Sequence, residues 1–353
     1  MRDTVAARAD FKQLRAQIED RGLARRSTHR ILGELAGHLT LTFAAFAVLV
    51  YSQSVWLSMF AVFLSAIGTL GVATNTHTST HHATSERKWI NSLLSYFGAS
   101  LFNQISVTYW HQKHLISHHP TPNVVGLDGE IDIAPLFLLT EEEISLTSGW
   151  RRSYYRVQWI FLPFAVGLNF FSFMFDGWRF LLGEMRRTRG RVLSHWIDLT
   201  GLVMHWVLWF IIPLAIFEFT DVLLVQCARY VLMGFGMFIV FAPSHLPHEA
   251  EFFEEDVPRG DFVWQQTSTT LNYRTGWIGR LLCSGLEYQI EHHLFPRISH
   301  DQYPRISPLV RSFCARHGYP YRTLGWAEGV WKAWEVFRVP KTVRRVADRS
   351  KAA

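Results

Sequence analysis

Three clusters of histidine are the residues in this sequence most able to do chemistry. In chain order they are His77-x3-His81-His82, His114-x3-His118-His119 and Gln289-x2-His292-His293. Residues three or four apart share one face of a helix, so the side chains of each cluster can point at one spot. Imidazole is a good ligand for iron, zinc, copper and nickel. The spacing therefore predicts a metal site to which three distant segments of the chain contribute.

Two metal ions account for the cluster histidines more simply than one. The clusters offer more rings than the four ligands of a tetrahedral zinc site can use. Cys227, Cys283 and Cys314 are too widely spaced for a thiolate zinc motif or a disulfide framework. The sequence also lacks both His-Glu-x-x-His and the Glu-x-x-His pairs of soluble di-iron bundles. These features favour iron and oxygen chemistry at a histidine-rich site.

Apolar segments must position these clusters beside a membrane. Of the 353 residues, 49% are hydrophobic and only 18% are charged, against about a quarter charged in an average soluble domain. The uncharged run 35–85 is long enough for two crossings, at 37–51 and 55–73, because one crossing needs about 20 apolar residues. A second helical pair is predicted over 199–217 and 222–242.

Basic residues predict the orientation of these helices. Residues 1–30 carry eight Lys and Arg, whereas the turns at 52–54 and 218–221 carry none, so the termini and all three clusters are expected in the cytoplasm. The apolar stretch 157–175 is expected to be an interfacial or re-entrant helix, because a crossing there would put the arginines that follow it outside. The predicted fold is an all-α polytopic membrane protein with about four transmembrane helices and a helical cytoplasmic cap that holds a di-metal site.

The whole chain, 1–353, is expected to form a single domain. Its predicted regions are a cytoplasmic N-terminal segment (1–36), a helical pair (37–73), a cytoplasmic region with the first two clusters (74–198), a second helical pair (199–242) and a cytoplasmic region with the third cluster (243–353). Within the spans, His205 is interpreted as a hydrogen-bonded packing residue. Arg229 is expected to snorkel or to face the protein interior.

Around the clusters the sequence resembles the membrane-bound fatty acid desaturases. The resemblance lies in WHQKHLISHHPTPN at 110–123, GLDGEIDIAP at 126–135, YQIEHHLFPRIS at 288–299 and VRSFCARHGYPY at 310–321. A single His-x3-His box is a weak signal, whereas the ordered triple that ends in Gln-Ile-Glu-His-His-Leu-Phe-Pro is specific. A third box that begins with Gln is similar to the front-end acyl desaturases.

The resemblance implies a non-haem di-iron centre that uses O2 to remove two hydrogens from a fatty acyl chain. The ligands that it implies on this sequence are His77, His81, His114, His118, His119, His292 and His293, with Gln289 in the place of a further histidine. His245, at the end of the last span, is the candidate for an additional ligand, and His248 is a weaker one. The extra histidines His82 and His111 are expected at the surface.

Polar residues near the boxes are candidates for holding the ligand rings, because a metal-bound imidazole usually donates its other N–H to a carboxylate or carbonyl. Asp128 and Asp132 are the leading candidates, since they lie in a segment that carries the resemblance. Asn123 is a further one. Weaker candidates are Glu249, Glu291 and Asn272.

The partners implied are a fatty acyl chain, membrane lipid and an electron donor. The acyl carrier is CoA, a carrier protein or a lipid. The segment before the first span is too short for a cytochrome domain, so electrons are expected from a separate ferredoxin or free cytochrome. The basic tail is expected to be a solvated or lipid-facing surface, or else a docking face for an acidic donor. Its residues are Arg338, Lys341, Arg344, Arg345, Arg349 and Lys351.

Several other functions are weighed against this one. A membrane di-iron hydroxylase or ketolase would use the same ligands, and a histidine-rich metal transporter would belong to a different class. A transporter is expected to carry ionisable residues along a path through the membrane, whereas the clusters gather at one face. The net charge of +6 is attributed to loops beside anionic lipid and not to nucleic acid. Phosphate-loop and serine-hydrolase motifs are missing from the sequence.

Overall fold

The computed structural model describes residues 4–254 and 261–344, and most of these residues are helical. The α-helices are α1 (Thr4–Asp20), α2 (Thr28–Tyr51), α3 (Val55–Thr80), α4 (Lys88–Ser95), α5 (Val107–Trp110), α6 (Glu141–Ser145), α7 (Gly149–Val157), α8 (Leu162–Arg187), α9 (Leu193–Trp206), α10 (Phe219–His245), α11 (Phe262–Thr269), α12 (Trp277–Cys283), α13 (Gln289–Leu294), α14 (Tyr303–His317) and α15 (Trp326–Glu335). The predicted all-α class is confirmed.

Shorter elements interrupt or extend these helices. Three segments are π-helical, namely Tyr96–Phe102, His111–His118 and Val207–Ile211, and three are 3-10 turns, namely Gln158–Ile160, Pro213–Ala215 and His300–Gln302. The strands are β1 (Phe252–Phe253), β2 (Asn272–Arg274), β3 (Thr323–Gly325) and β4 (Val343–Arg344). They form two parallel pairs, with Phe252 of β1 opposite Val343 of β4 and Asn272 of β2 opposite Thr323 of β3.

Among the described residues, four helical segments are long and apolar enough to cross a membrane: Thr28–Tyr51, Val55–Thr80, Leu193–Ala215 and Phe219–His245. Three of them contain the predicted crossings and extend beyond them, whereas the third starts before the predicted 199–217 and ends two residues before its end. For example, α3 was expected to end its apolar part at residue 73 and instead continues to Thr80. Its last turns are polar, and every residue from Thr74 to Thr80 is buried in protein. The helix therefore continues where hydropathy alone predicts an end.

The first two spans pack closely as a hairpin, because small residues of α3 face polar side chains of α2. A Cβ on Gly71 would lie 2.1 Å from Nδ1 of His38. Small residues at such contacts let helices in membranes approach each other. The close approach places the end of α3, which carries the first histidine box, beside the start of α2.

The apolar stretch predicted over 157–175 belongs to a sharply bent pair of helical segments. The segment Gly149–Ile160 meets Leu162–Arg187 at 91°. The second of these, α8, packs against α10, where a Cβ on Gly234 would lie 2.3 Å from the carbonyl oxygen of Val166. Such a bend fits a re-entrant loop or a broken span, so the predicted interfacial or re-entrant helix stays a prediction.

The polar cap is built around an apolar core that supports the third box. Helices α1, α11, α13 and α14 contribute its buried side chains. Phe11 of α1 stacks on Phe295, with ring centroids 5.5 Å apart, and also packs against Phe313 of α14. This core anchors α13, whose six residues are all buried.

Two polar residues inside the spans behave as the sequence predicts. His205 is buried, with Nδ1 3.0 Å from the Leu101 carbonyl oxygen and Nε2 2.7 Å from the Tyr230 hydroxyl. Arg229 is fully buried and faces the protein interior, where its guanidinium lies 3.8 Å from the Trp209 ring centroid. Of the two positions predicted for Arg229, the interior one is confirmed.

Candidate metal centre

Two adjacent groups of buried histidines form the centre. The first contains His77, His81, His114 and His292, and the second contains His118, His245 and His293; within each group, one ring nitrogen from every member lies within 4.8 Å of the others. Four segments supply these rings: the end of α3, the π-helix after α5, the end of α10, and α13. The three boxes and His245 thus converge as the sequence predicts.

The second box is wound as a π-helix and not as an α-helix. The backbone N–H of His119 donates to the carbonyl of His114, five residues earlier, at 3.0 Å. The wider turn also brings in the His119 ring, whose Nε2 lies 3.2 Å from Nε2 of His114 and 3.1 Å from Nε2 of His292. All three histidines of this box therefore point inward, and single π-turns of this kind are frequent at functional sites.

Four of the rings are held from outside by polar partners on Nδ1. His114 Nδ1 lies 2.6 Å from a Glu130 oxygen, and His118 Nδ1 lies 2.9 Å from an Asp128 oxygen. The other two pairs are His292 with the Tyr303 hydroxyl at 3.2 Å and His293 with the Gln266 amide oxygen at 2.8 Å. An outward bond at Nδ1 directs Nε2 toward the centre, which is the usual arrangement of metal-binding histidines.

Several inward atoms form no hydrogen bond with the described residues, although Nε2 of His118 lies 3.7 Å from a Glu130 oxygen. Nε2 of His118, Nδ1 of His245 and Nε2 of His293 are buried without a hydrogen bond, and so is Oε1 of Gln289. The Gln289 amide donates to Nε2 of His245 at 2.9 Å, so it lies within the second group. A buried polar atom without a partner costs about 1–3 kcal/mol. These unpaired donor atoms fit a metal ion.

Of the three residues predicted to hold the ligand rings, Asp128, Asn123 and Asp132, Asp128 contacts one of these rings directly. Asp128 contacts the His118 ring, and it also accepts the backbone N–H of Asn123 at 2.8 Å. Asn123 contacts no box ring; its amide donates to the carbonyl oxygens of His245 and Thr269 and so ties the end of α10 to α11. Asp132 is exposed, and no bond joins it to a histidine within residues 4–254 and 261–344. The structure gives no support to Asp132.

The weaker candidates lie outside the centre. Glu249 pairs with Lys332, and the Nε2 of His248 bonds to the Val339 carbonyl. Asn272 donates to the carboxylate of Glu291, which also accepts the Tyr321 hydroxyl, so these residues brace α13 from behind. The extra histidine His82 is exposed, as predicted, whereas His111 is half-buried in the wall of a separate polar cavity.

A sequence comparison identifies the family to which this site belongs. The family model described as fatty acid desaturase matches residues 54–325, which is 272 of the 353 residues. The chain belongs to the fatty acid desaturase family. It is therefore an oxidoreductase of this family, and its four apolar helices are those of an integral membrane protein.

Named relatives agree with this assignment. The chain is 27% identical over 318 residues to fatty acid desaturase 3 of Homo sapiens, covering 88% of this chain and 68% of the relative. It is 27% identical over 345 residues to Delta(8)-fatty-acid desaturase 2 of Arabidopsis thaliana, covering 91% and 72%. It is also 27% identical over 270 residues to sn-1 linoleoyl-lipid 6-desaturase of Synechocystis, covering 70% and 69%.

Charge distinguishes His118 from the other rings of the desaturase centre. Burial lowers the pKa of His118, but the carboxylates of Asp128 and Glu130 outweigh it and raise that pKa to about 9. Burial, together with the neighbouring rings, lowers the pKa of His114 well below its usual value. Metal binding requires neutral imidazole. A metal ion that binds His118 must therefore displace the ring proton that Asp128 and Glu130 stabilise.

A narrow apolar cavity adjoins the first histidine group. It has a free volume of about 40 Å³ and runs beside His77, between the spans. Its lining is Leu70, Ala73, Thr76, His77, Thr80, Ala99, Ile105, Trp110, Met233, Met237 and Phe241. The volume suits a short piece of hydrocarbon chain. A longer chain requires side chains to move, and the flexible Met233 and Met237 can do so most easily.

Sequence reasoning missed four residues that shape this centre. Glu130, Gln266 and Tyr303 hold ligand rings, as described above. The fourth is Asp198 of α9, a fully buried carboxylate that accepts the hydroxyls of Ser100 and Ser106 and the backbone N–H groups at 107 and 108, at 2.6 to 3.1 Å. It caps the helix that carries the second box. Only Glu130 had a local signal, since it lies between Asp128 and Asp132.

Proposed function

We propose that this desaturase introduces a double bond into a long fatty acyl chain by means of two iron ions and O2. The observation that carries the proposal is the pair of buried histidine groups, with polar partners on the outer nitrogens of four rings and, in the second group, inward atoms without a hydrogen bond. The ligands proposed are the seven box histidines and His245, with Gln289 as a further contact. Asp128, Glu130, Gln266 and Tyr303 would hold the rings.

The chain's own residues provide binding, orientation and exclusion of water. Iron, when bound, would supply the redox chemistry with O2 that an unactivated C–H bond requires. The apolar cavity would hold acyl methylenes beside His77 and keep water away from them. Trp110 stacks on the His114 ring at 4.5 Å between centroids and forms part of the cavity wall. Trp110 would hold the His114 ring and the bound acyl chain at a fixed distance from each other.

The finer features of the reaction are proposed from the third box and the relatives. A box that begins with Gln289 and relatives named for positions 8 and 6 support desaturation of the front-end type. Electrons would come from a separate ferredoxin or cytochrome. The basic N-terminal segment supports cytoplasmic termini and a cytoplasmic centre.

The decisive experiment compares fatty acid profiles by gas chromatography and mass spectrometry. A host with an active ferredoxin or cytochrome reductase system would express the intact protein, His118→Ala or the matched control His82→Ala. We expect a new double bond with the intact protein and the exposed-histidine control, and none with His118→Ala. A new hydroxyl group would establish the hydroxylase alternative. Purified intact protein with almost no iron would contradict the di-iron centre.

A further inference from the structure

A second cavity lies on the polar side of the protein, away from the histidine groups. It is formed where β1 and β4 pair, has a volume of about 450 Å³, and is lined by none of the box histidines. Ligand pockets usually have volumes of about 300–1,000 Å³. Its lining is polar, unlike that of the apolar cavity beside His77, so it suits a different kind of ligand.

Basic side chains outnumber acidic ones around this cavity. Both carboxylates that line it are already paired: Glu251 with Arg344 at 3.0 Å, and Glu249 with Lys332. Arg322 donates to the backbone carbonyl of Glu249 and has no ion pair with a carboxylate among the described residues. The positive charge of Arg322 therefore has no carboxylate contact among the described residues.

Lys341 is a second basic side chain on the wall without a carboxylate contact among the described residues. The side chain is buried, with only 3% of its surface exposed, and its ammonium group donates to the Ala250 carbonyl and lies 4.1 Å from the Phe252 ring centroid. No carboxylate lies within ion-pair distance of it in the part of the chain that the structure describes. Burial lowers the pKa of Lys341 well below its usual value, although Glu249 and Glu251 oppose this effect. An anion in the cavity would favour the charged ammonium. The predicted solvent-exposed or lipid-facing position is wrong for this member of the basic tail.

We propose that this cavity binds a phosphate group, with Arg322 and Lys341 as its ligands. Arginine presents a planar fork that matches phosphate oxygens, and lysine adds a compact positive charge. A dianion would offset the two positive charges that lack carboxylate partners. The phosphate belongs either to a soluble ester such as an acyl carrier or to a phospholipid headgroup. The proposal does not depend on desaturation, because binding is measured without turnover.

Isothermal titration of the purified full-length protein with pyrophosphate tests the proposal. The buffer is kept at constant ionic strength, since salt screens exposed charges. We expect saturable binding by the intact protein, and affinity at least about tenfold lower for Arg322→Gln and for Lys341→Gln, which corresponds to about 1.4 kcal/mol. The control is Arg191→Gln, an exposed arginine that does not line the cavity; its affinity should remain within about twofold of the intact protein.

Competition experiments distinguish the two sources of phosphate. Stronger displacement of pyrophosphate by CoA than by a short-chain phosphatidic acid supports the soluble ester, and the reverse order supports the headgroup. The absence of saturable binding by the intact protein would overturn the proposal. Equal affinity of the intact protein and a correctly folded Arg322→Gln variant would also overturn it, even if Lys341→Gln failed to fold. Displacement by an acidic peptide, but by neither phosphate compound, would indicate a protein-docking surface instead.

Discussion

Buried histidines occur in two settings in this molecule, and the contrast separates structural rings from the proposed metal ligands. In the span, His205 has partners on both nitrogens, the Leu101 carbonyl and the Tyr230 hydroxyl. In the centre, Nδ1 of His118 and Nδ1 of His293 have hydrogen-bond partners, whereas their Nε2 atoms are buried without a hydrogen bond, and Nε2 of His118 lies 3.7 Å from a Glu130 oxygen. Burial alone therefore does not identify a ligand. A ring nitrogen that faces the nitrogens of other rings does, as in both histidine groups of the centre.

The largest effect is expected from removing His245, the proposed ligand that lies outside the three histidine boxes. His245→Ala deletes one ring of the second group, and we expect loss of product formation together with a clear fall in iron per chain. Metal analysis and fatty acid profiling measure both. The control is His29→Ala, which removes an exposed histidine. Normal iron and activity in His245→Ala would show that the second group does not need this ring.

The outer bonds are expected to matter less than the rings. Asp128→Asn and Glu130→Gln each weaken an Nδ1 contact, and such changes typically cost about 10- to 100-fold in metal affinity or activity. Titration of iron into the stripped protein, followed by a turnover assay, gives both quantities. Asp132→Asn is the matched control in the same segment, because that carboxylate is exposed. An equal loss in all three variants would contradict a specific role for the two contacts.

A smaller effect is expected from the helix cap beneath the second box. Asp198→Asn removes the charge from a carboxylate that accepts four hydrogen bonds, and we expect a loss of about 1–3 kcal/mol in stability. Thermal unfolding of the purified protein measures this loss, with the exposed Asp221→Asn as the control. An unfolding midpoint equal to that of the intact protein would show that the cap contributes little.

The smallest effect is expected in the span. Tyr230→Phe leaves Nε2 of His205 without its partner, and hydrogen bonds between membrane helices contribute about 0.6 kcal/mol on average and at most about 2 kcal/mol. A small fall in the unfolding midpoint with unchanged iron content would confirm that His205 is structural. The exposed Tyr51→Phe serves as the control. Loss of iron in Tyr230→Phe would contradict a purely structural role of His205.

The amino-acid sequence by itself determined the apolar spans and the histidine clusters that meet at one site. Apolar runs predicted the four spans, because crossing a bilayer requires about 20 apolar residues in succession. Histidine spacing predicted three converging clusters, because positions three or four apart share a helix face. His245 was proposed because the family resemblance implies an additional ligand before the third box, and this histidine lies at the end of the last span. These signals are local, so they can be read without knowing which segments meet.

Tertiary structure decided which polar groups hold the rings. Glu130 rather than Asp132 contacts a box histidine, although the two are separated by a single residue. Gln266 and Tyr303 reach the centre only because α11 and α14 pack around α13, and no spacing rule connects residues so far apart in the chain. The π-helical second box also departs from α-helical periodicity. Positions within one element follow from local geometry, whereas contacts between elements depend on how the whole chain packs.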